Sequence, residues 1–454
     1  MRLLNMRLAS CMLCVAFWLS FPEIAGAQRP AETRKLTLPE AIDFALKNNH
    51  ALTIAHYKVV EMQSAKRVAA ADYFPKVSNS SSYVHSTQSS LIYFTKGDFG
   101  TFPGLGPLPS KNLTVNQGTL DQEFSRSEVA QPLTQLIKIR AANRAARADE
   151  SAAEDDLAGV RDQVAILVRQ LYYGLLAVKL DQKTAAEQIE VAEEQIPEAE
   201  HDVQGGSELE VTLLQARSAL LQARQDQLAA KIRHSDLLAE FCDVLGFPQG
   251  TTFELDDQLA EPSELPDKAG CLRLAQSAAP EIKAAEETLR KAEAGAAAAR
   301  AEYIPDITAF GRHEYQNGVA FLFHNYGVVG LSLTYTVFDG GKRRALIRQR
   351  LAERDQAAEN LRRLQDGAAV NVQKAFDKID QSHSLVEVAR QAVEVSEEGD
   401  RLAGAQLRFG EVVNSKRLQA VAALAKARSD LLRAQLGYLE SQAELSVLIG
   451  RLPR

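Results

Sequence analysis

Apolar residues recur at alternating spacings of three and four along two long stretches of the chain. The first runs from about Gln135 to His201 and the second from Gly341 to Arg408, nearly seventy residues each. Such heptad seams predict left-handed coiled-coil helices, each on the order of 100 Å long at about 1.5 Å per residue. Shorter helices are predicted before and after them, at Leu52 to Asp72, Glu208 to Leu245, Ile282 to Glu302 and Val412 to Leu448.

A second pattern, strict alternation, lies between the helical stretches. From Val329 to Val337, apolar residues alternate with Gly, Ser and Thr, which predicts a two-faced strand of the length found in membrane barrels. Partner strands are predicted at Asp306 to Tyr315, Val77 to His85 and Phe124 to Pro132. Of 29 aromatic residues, 16 lie near these strands, as in aromatic girdles at a bilayer. A small soluble hairpin with aromatic residues in its core is the alternative.

The chain contains one unit twice. Tyr73-Phe74-Pro75 recurs as Tyr303-Ile304-Pro305, and Gly206 with Leu214 recurs as Gly410 with Leu418. The first copy carries about 26 additional residues, which fall in the Gly- and Pro-rich stretch 89–121 and predict a long loop. We therefore expect a first repeat at 28–250 (hairpin about 75–132, helices about 135–245), a linker at 251–267, and a second repeat at 268–454 (hairpin about 305–338, helices about 341–450).

The N-terminus has the features of a secretory signal peptide. Arg2 and Arg7 precede an apolar run, and Ala25-Gly26-Ala27 offers a cleavage site, so residues 1–27 are predicted to be removed. No later stretch has the roughly 18 apolar residues of a spanning helix. Cys242 and Cys271 remain in a compartment that permits disulfides, and the sequence does not decide whether they are bridged.

Charge and chemistry exclude several function classes. The formal net charge of -7 gives no basic footprint for nucleic acid. The eight histidines lack metal-ligand spacing, and no nucleophile, base or phosphate-binding loop is apparent. We therefore predict no enzyme activity, no metal and no cofactor.

Four strands cannot close a membrane barrel, so a spanning chain must oligomerise, with eight strands from two copies or twelve from three.

These residues together resemble the TolC-type outer-membrane efflux proteins over nearly the whole mature chain. The resemblance rests on Leu38-Pro39-Glu40-Ala41, the two Tyr-x-Pro motifs, Gln131-Pro132-Leu133, the run from Gly330 to Gly341, and the duplicated Gly-to-Leu-Gln-Ala segments. It implies a mainly α fold with a small antiparallel β part. Three chains would form a 12-stranded barrel in the outer membrane and an α-helical tunnel in the periplasm.

The resemblance also assigns candidate site residues. Helical turns at the periplasmic tip would contact an adaptor protein, or would be surface turns without a partner: Gly206, Leu214, Gly410 and Leu418. Family members often carry acidic residues at the tip gate, where this chain has Thr212, Gln215, Lys416 and Gln419. An acidic gate is therefore not expected, and Lys416 either changes the charge of the tip or faces solvent.

Two further groups lie where strands and helices join. The predicted starts and ends of the strands are Pro75, Pro132, Pro305, Gly340 and Gly341. Basic residues at the starts of the long helices would contact anionic headgroups or form a solvated face: Lys138, Arg140, Lys342, Arg343 and Arg344.

Two functions follow as hypotheses. The first is the exit duct of a tripartite efflux or type I secretion system, fed by an inner-membrane pump through a periplasmic adaptor. The second is a soluble periplasmic coiled-coil scaffold or adaptor. The sequence indicates neither the substrate nor the particular pump.

Overall fold

The structure is a computed structural model that describes residues 34–206, 209–256, 266–410 and 412–450. The predicted signal peptide, residues 1–27, lies outside the described residues. None of the described helices is long and apolar enough to cross a membrane.

Helices make up most of the described chain, which confirms the mainly helical prediction, and the second half repeats the helices of the first. The first four have 11, 22, 69 and 36 residues, and the last four have 11, 22, 67 and 35. They are α1 (Leu38–Asn48), α2 (His50–Ala71), α3 (Leu136–Gln204), α4 (Glu210–Leu245), α5 (Lys268–Ala278), α6 (Pro280–Ala301), α7 (Lys342–Arg408) and α8 (Asn414–Leu448).

Local signals explain where the short helices begin. Thr37 and Glu40 form a capping box at the start of α1, with the Thr37 amide donating to Glu40 at 3.0 Å. Asn49 separates α1 from α2, because its side chain accepts from the Ala51 amide at 2.8 Å and donates to the Val244 carbonyl at 3.0 Å. Pro280 occupies the first turn of α6, where its missing N–H costs nothing.

The helices pack against one another through small residues. Helix α3 contacts α2, α4, α6 and α8, and α7 contacts α6 and α8. Across the pair α7 and α8, the Ser382 and Ser441 hydroxyls are 3.0 Å apart. Small side chains allow this close approach of helix backbones. In the pair α3 and α4, buried alanines recur every seven residues, at Ala185, Ala192 and Ala199 of α3 and at Ala216, Ala223 and Ala230 of α4.

A four-stranded antiparallel sheet extends from one end of the helices. Its strands are β2 (Lys76–His85), β7 (Gly118–Pro132), β9 (Asp306–Val319) and β10 (Asn325–Thr334), and they lie in the order β10-β9-β7-β2. Strand β10 ends before Val337, so the predicted strand from Val329 to Val337 was placed too far along the chain. Its partner β9 begins only after Pro305, which has no N–H to extend the hydrogen-bond ladder.

Two segments predicted to be irregular contain strands. The predicted long loop 89–121 holds two nested hairpins, in which β3 (Leu91–Phe94) pairs with β6 (Leu113–Asn116) and β4 (Thr101–Phe102) pairs with β5 (Gly106–Pro107). The predicted linker contains β8 (Phe253–Leu255), which pairs in parallel with β1 (Arg34–Leu36). Both predictions missed pairing that depends on a distant or nested partner.

The largest core lies where β1 and β8 meet α1, α3 and α4. Tyr172 and Phe241 are fully buried there, and the Tyr172 hydroxyl lies 3.0 Å from the Leu36 carbonyl and 2.8 Å from the Asp256 carbonyl. Cys242 and Cys271 are both buried free thiols. The disulfide that the sequence left open is therefore not formed.

Candidate functional site

One face of the sheet carries a charged network across the three strands β7, β9 and β10. Arg126 contacts Glu314 at 3.1 Å, and Arg312 contacts Glu128 at 3.7 Å and Glu314 at 3.6 Å. The Tyr326 hydroxyl donates to Glu314 at 2.6 Å. Because the strand register alternates faces, all five side chains lie on the same side. This face is built for contact with water.

The opposite face is apolar near the helices. Leu331 is 71% exposed and Val329 is 86% exposed, although neither has a polar atom in its side chain. Exposed aromatic rings flank this region, with Tyr83 and Tyr315 toward the far end of the sheet and Phe338 at the near end, between β10 and α7. The exposed aliphatic residues of the strands on this face are Val77, Val129, Val329, Leu331 and Leu333. A polar face opposite an apolar face with aromatic borders is typical of transmembrane barrel strands.

Two strand edges lack a pairing partner within the described chain. Strand β2 pairs only with β7 and β10 pairs only with β9, so each ten-residue strand exposes one row of N–H and C=O groups. Such edges are open to another chain in water and are not tolerated in lipid.

The helices beneath each edge present apolar stripes of the same kind. The contacts place the helices in the lateral orders α2-α3-α6-α7 and α4-α3-α8-α7, so α2 and α4 lie on the β2 side and α7 lies on the β10 side. At heptad spacing, α4 exposes Leu214, Leu221 and Leu228, and α7 exposes Val388, Val395 and Leu402. These heptads face outward on opposite sides of one protomer.

At the far end of the long helices, two turns reverse the chain. Gly206 (φ 74) and Gly410 (φ 70) adopt left-handed backbone conformations, in which a side chain would be strained. The Glu198 carboxylate accepts from the Ser415 amide at 3.2 Å and thus joins the first turn of α8 to α3. Of the other tip residues, Leu214, Gln215 and Lys416 are exposed, whereas Thr212, Leu418 and Gln419 are half-buried.

Two of the five basic residues predicted at the helix starts form ion pairs within their own chain. Lys138 lies 3.2 Å from Asp306 and 3.4 Å from Glu302. Arg343 donates to Asp339 at 2.8 Å and to the Thr336 carbonyl. Arg140, Lys342 and Arg344 are exposed and form no ion pair within the described residues.

Arg343 also lies between two aromatic rings. Its guanidinium carbon is 5.4 Å from the ring centre of Tyr303 and 5.0 Å from that of Tyr335. The hydrogen bond from Arg343 holds the pKa of Asp339 below its usual value. Hydrogen bonds to Tyr335 and Asp339 raise the pKa of Arg343. This cluster fixes the connection between β10 and α7, where Gly340 (φ 63) and Gly341 (φ 89) turn the chain.

The other strand ends are joined through a residue that the sequence did not single out. Thr134 donates to the Pro305 carbonyl at 2.7 Å and accepts from the Ile307 amide at 2.8 Å. It therefore links the two hairpins beside Pro132. Pro75 is exposed at the start of β2. The sequence around Thr134 does not predict this link, because the residues that Thr134 contacts lie more than 170 residues later in the chain.

A second missed residue joins the two halves midway along the helices. Asp181 of α3 forms an ion pair with Arg433 of α8 and lies 3.3 Å from the Ser429 hydroxyl. Across the described residues, no group of three or more His, Cys, Asp or Glu side chains is arranged to hold a metal ion.

The family model of the outer membrane efflux proteins matches residues 41–236 and 271–451. The chain belongs to the outer membrane efflux protein family. Protein CyaE of Bordetella pertussis is 30% identical over 344 residues, which cover 74% of this chain and 68% of CyaE. Family membership places this efflux protein in the outer membrane, and these matches give no support to the soluble scaffold.

Solved structures show the same fold for this efflux protein. CusC, a protein studied for folding and transmembrane channel formation, matches with a TM-score of 0.72 at 18% identity, covering 93% of this chain and 95% of CusC. The outer-membrane channel OprN matches with a TM-score of 0.73 at 20% identity, covering 91% of this chain and 89% of OprN.

Proposed function

We propose that three copies of this outer membrane efflux protein assemble into a passive exit duct. One observation carries the proposal: the four-stranded sheet is charged on one face, apolar on the other, and open at both edges. In a bilayer such a sheet must continue into further copies until it closes. The charged network of Arg126, Glu128, Arg312 and Glu314 then lines the water-filled interior.

The strand directions specify how the copies join. Neighbouring strands are antiparallel throughout the sheet, so β10 of one protomer can pair in the same way with β2 of the next. This contact uses two different surfaces and closes a ring when the rotation fits. Two copies give eight strands, whose interior is just filled by side chains, whereas three give twelve and leave a channel. A duct therefore favours the trimer.

The helices support the same arrangement. The exposed heptads of α4 and α7 lie on the two sides that this ring would bring together. Pairing Leu221 of one protomer with Val395 of the next, or their heptad neighbours, would bury apolar surface that one protomer exposes. Helix α3 has 69 residues, about 100 Å at 1.5 Å per residue, which suits a tunnel through the periplasm.

We assign the tip turns to adaptor contact. Gly206, Leu214, Gly410 and Leu418 lie at or near the turns farthest from the sheet, where an inner-membrane pump and its adaptor would meet the tunnel. Thr212, Gln215, Lys416 and Gln419 then form a tip gate without acidic side chains. At the other end, Arg140, Lys342 and Arg344 would contact headgroups, whereas Lys138 and Arg343 have partners within their own chain.

The duct itself carries out no reaction and uses no cofactor, because the pump supplies the energy. Its substrates would be small molecules in an efflux system or a protein in type I secretion. Residues 28–250 and 268–454 are the two copies of the duplicated unit that shape it.

Cell fractionation with gel electrophoresis tests the proposal. A duct will be recovered in the outer membrane as a species that migrates as a trimer in unheated detergent samples and as a monomer after boiling. Recovery as a monomer with the soluble periplasmic proteins would contradict it. A variant lacking 306–338 serves as the control, since it removes half of the sheet and should lose both membrane recovery and trimers.

A further inference from the structure

A turn at the far end of the sheet exposes three apolar side chains in succession. Phe321 is 82% exposed, Phe323 is 81% exposed, and Leu322 between them is also exposed. They connect β9 to β10, and we name Phe321, Leu322 and Phe323 the aromatic turn. Monomeric surfaces rarely expose such contiguous apolar groups without a partner.

The backbone holds the aromatic turn in a fixed position. The Gln316 amide donates to the His324 carbonyl at 2.9 Å, and the Gln316 side chain donates to the Phe323 carbonyl at 3.0 Å. Phe321 has a φ of 66, a conformation that a turn would more readily give to Gly or Asn. Within its own chain the Phe321 side chain gains little, because it remains exposed.

The chain's own insertion does not cover the aromatic turn. We name residues 86–117, which connect β2 to β7, the hairpin extension. The Ala320 amide donates to the Gln117 carbonyl at 2.9 Å, so the aromatic turn already touches the base of its own hairpin extension. The three apolar side chains stay exposed in spite of this contact. If these three side chains are buried in the assembled protein, another molecule must cover them.

The strand order identifies that molecule as a second copy. Strand β10 starts immediately after the aromatic turn, and β2 ends at His85, immediately before the hairpin extension. Antiparallel pairing of β10 with β2 of the next protomer brings the aromatic turn beside the next protomer's hairpin extension. That segment exposes apolar side chains of its own, including Tyr93 (68% exposed), Phe99 and Leu105.

The position along the strand disfavours lipid as the covering partner. On the apolar face, Leu333, Leu331 and Val329 are followed toward the aromatic turn by Gly327 and Asn325. Phe323 lies six residues beyond Val329, about 20 Å along the strand at 3.3 Å per residue. Polar side chains already occupy this face of β2 and β7 at the levels of Gly327 and Asn325, where Asn79 donates to Ser127 at 2.9 Å and the Ser81 and Ser125 hydroxyls are 3.0 Å apart.

We propose that the aromatic turn of each protomer docks on the hairpin extension of the next. The trimer then contains three copies of this contact, one at each interface, around the outer mouth of the duct. This contact rests on the proposed trimer. It adds an apolar contact between neighbouring protomers, above the membrane, to the backbone hydrogen bonds between β10 and β2.

Cysteine cross-linking between separate chains tests the contact. One chain carries Phe323→Cys and a second, co-expressed chain with a distinguishing tag carries Tyr93→Cys. A short bis-maleimide applied to intact outer membranes should give a covalent dimer that contains both tags. Each variant expressed alone shows whether Cys242 or Cys271 reacts, and Phe323→Cys with Val77→Cys, at the opposite end of β2, is the matched negative pair.

Trimers that form normally but give no mixed dimer with Phe323→Cys or with Leu322→Cys would overturn the contact and leave the duct intact. Absence of trimers from the unsubstituted protein would overturn the duct as well.

A fluorescence measurement distinguishes protein from lipid as the partner. The sequence has one tryptophan, Trp18, within the predicted signal peptide, so Phe323→Trp is expected to be the sole tryptophan of the exported protein. In the intact trimer its emission should be shifted to shorter wavelength and protected from acrylamide, and both effects should disappear on dissociation. Strong quenching by lipids brominated on their acyl chains, or free quenching by acrylamide in the trimer, would overturn the proposal.

Discussion

Replacing Leu331 with arginine tests directly whether the apolar face of the sheet meets lipid. Leu331 lies between Val329 and Leu333 on that face, pairs with Ala309 and is 71% exposed. An arginine on the lipid face of a barrel costs about 2–4 kcal/mol near the bilayer midplane. Losing the exposed part of a leucine from an apolar environment adds about 1–2 kcal/mol. We therefore expect Leu331→Arg to destabilise the folded barrel by roughly 3–6 kcal/mol per chain.

The adjacent residue provides the control. Ser332 pairs with Thr308 on the charged face, so Ser332→Arg introduces the same charge into the water-filled interior and should change stability by about 1 kcal/mol or less. The assay is urea-dependent folding into phosphatidylcholine vesicles, followed by protection from protease and by heat-modifiable migration. Equal effects of the two substitutions, or a larger effect of Ser332→Arg, would refute the assignment of the two faces.

Three further predictions concern the helical part and its junction with the sheet. Tyr172→Phe removes the buried hydroxyl that joins Leu36 to α3 and should lower the free energy of unfolding by about 1–2 kcal/mol in denaturant titrations, with no change in secondary structure. Ala223→Leu overfills the small-residue seam between α3 and α4 and should cost about 1–3 kcal/mol in the same titration; a neutral result would mean that the seam is not closely packed. The bond to Arg343 lowers the folded pKa of Asp339, so this bond stabilises the protein above the unfolded pKa, about 4, and the stabilisation is lost as pH falls through the lower folded pKa. The difference in melting temperature between the protein and Asp339→Asn should therefore be complete at pH 7 and shrink progressively below about pH 4, and a difference independent of pH would contradict this.

The long helices could be predicted because their information is local. Heptad spacing, Pro280 and the glycines near the tips specify where helices begin and end within a few residues. The strand β10 was recognisable by its alternation, but its end depends on where β9 starts. Tyr335 and Val337 continue the alternation without a paired strand opposite them.

Contacts between distant parts of the chain could not be read from the sequence. Lys138 had the features of a headgroup ligand, yet it forms an ion pair with Asp306, which lies 168 residues later in the chain. Asp181 is one of many acidic residues on a solvated helix, and only the fold brings it to Arg433. The strand β8 in the predicted linker likewise depends on β1, which is more than 200 residues away. Local sequence patterns therefore predict the helices and strands, whereas contacts between distant residues become visible only once these elements are placed in space.

Conductance across a planar bilayer tests the exit duct most directly. Purified trimers should produce discrete steps, and the variant lacking 306–338 should produce none. A variant with Glu198→Ala, which removes the bond to the Ser415 amide at the tip, guards against a duct that is closed at its far end. Folded trimers that give no steps in repeated reconstitutions, with or without this substitution, would contradict the account.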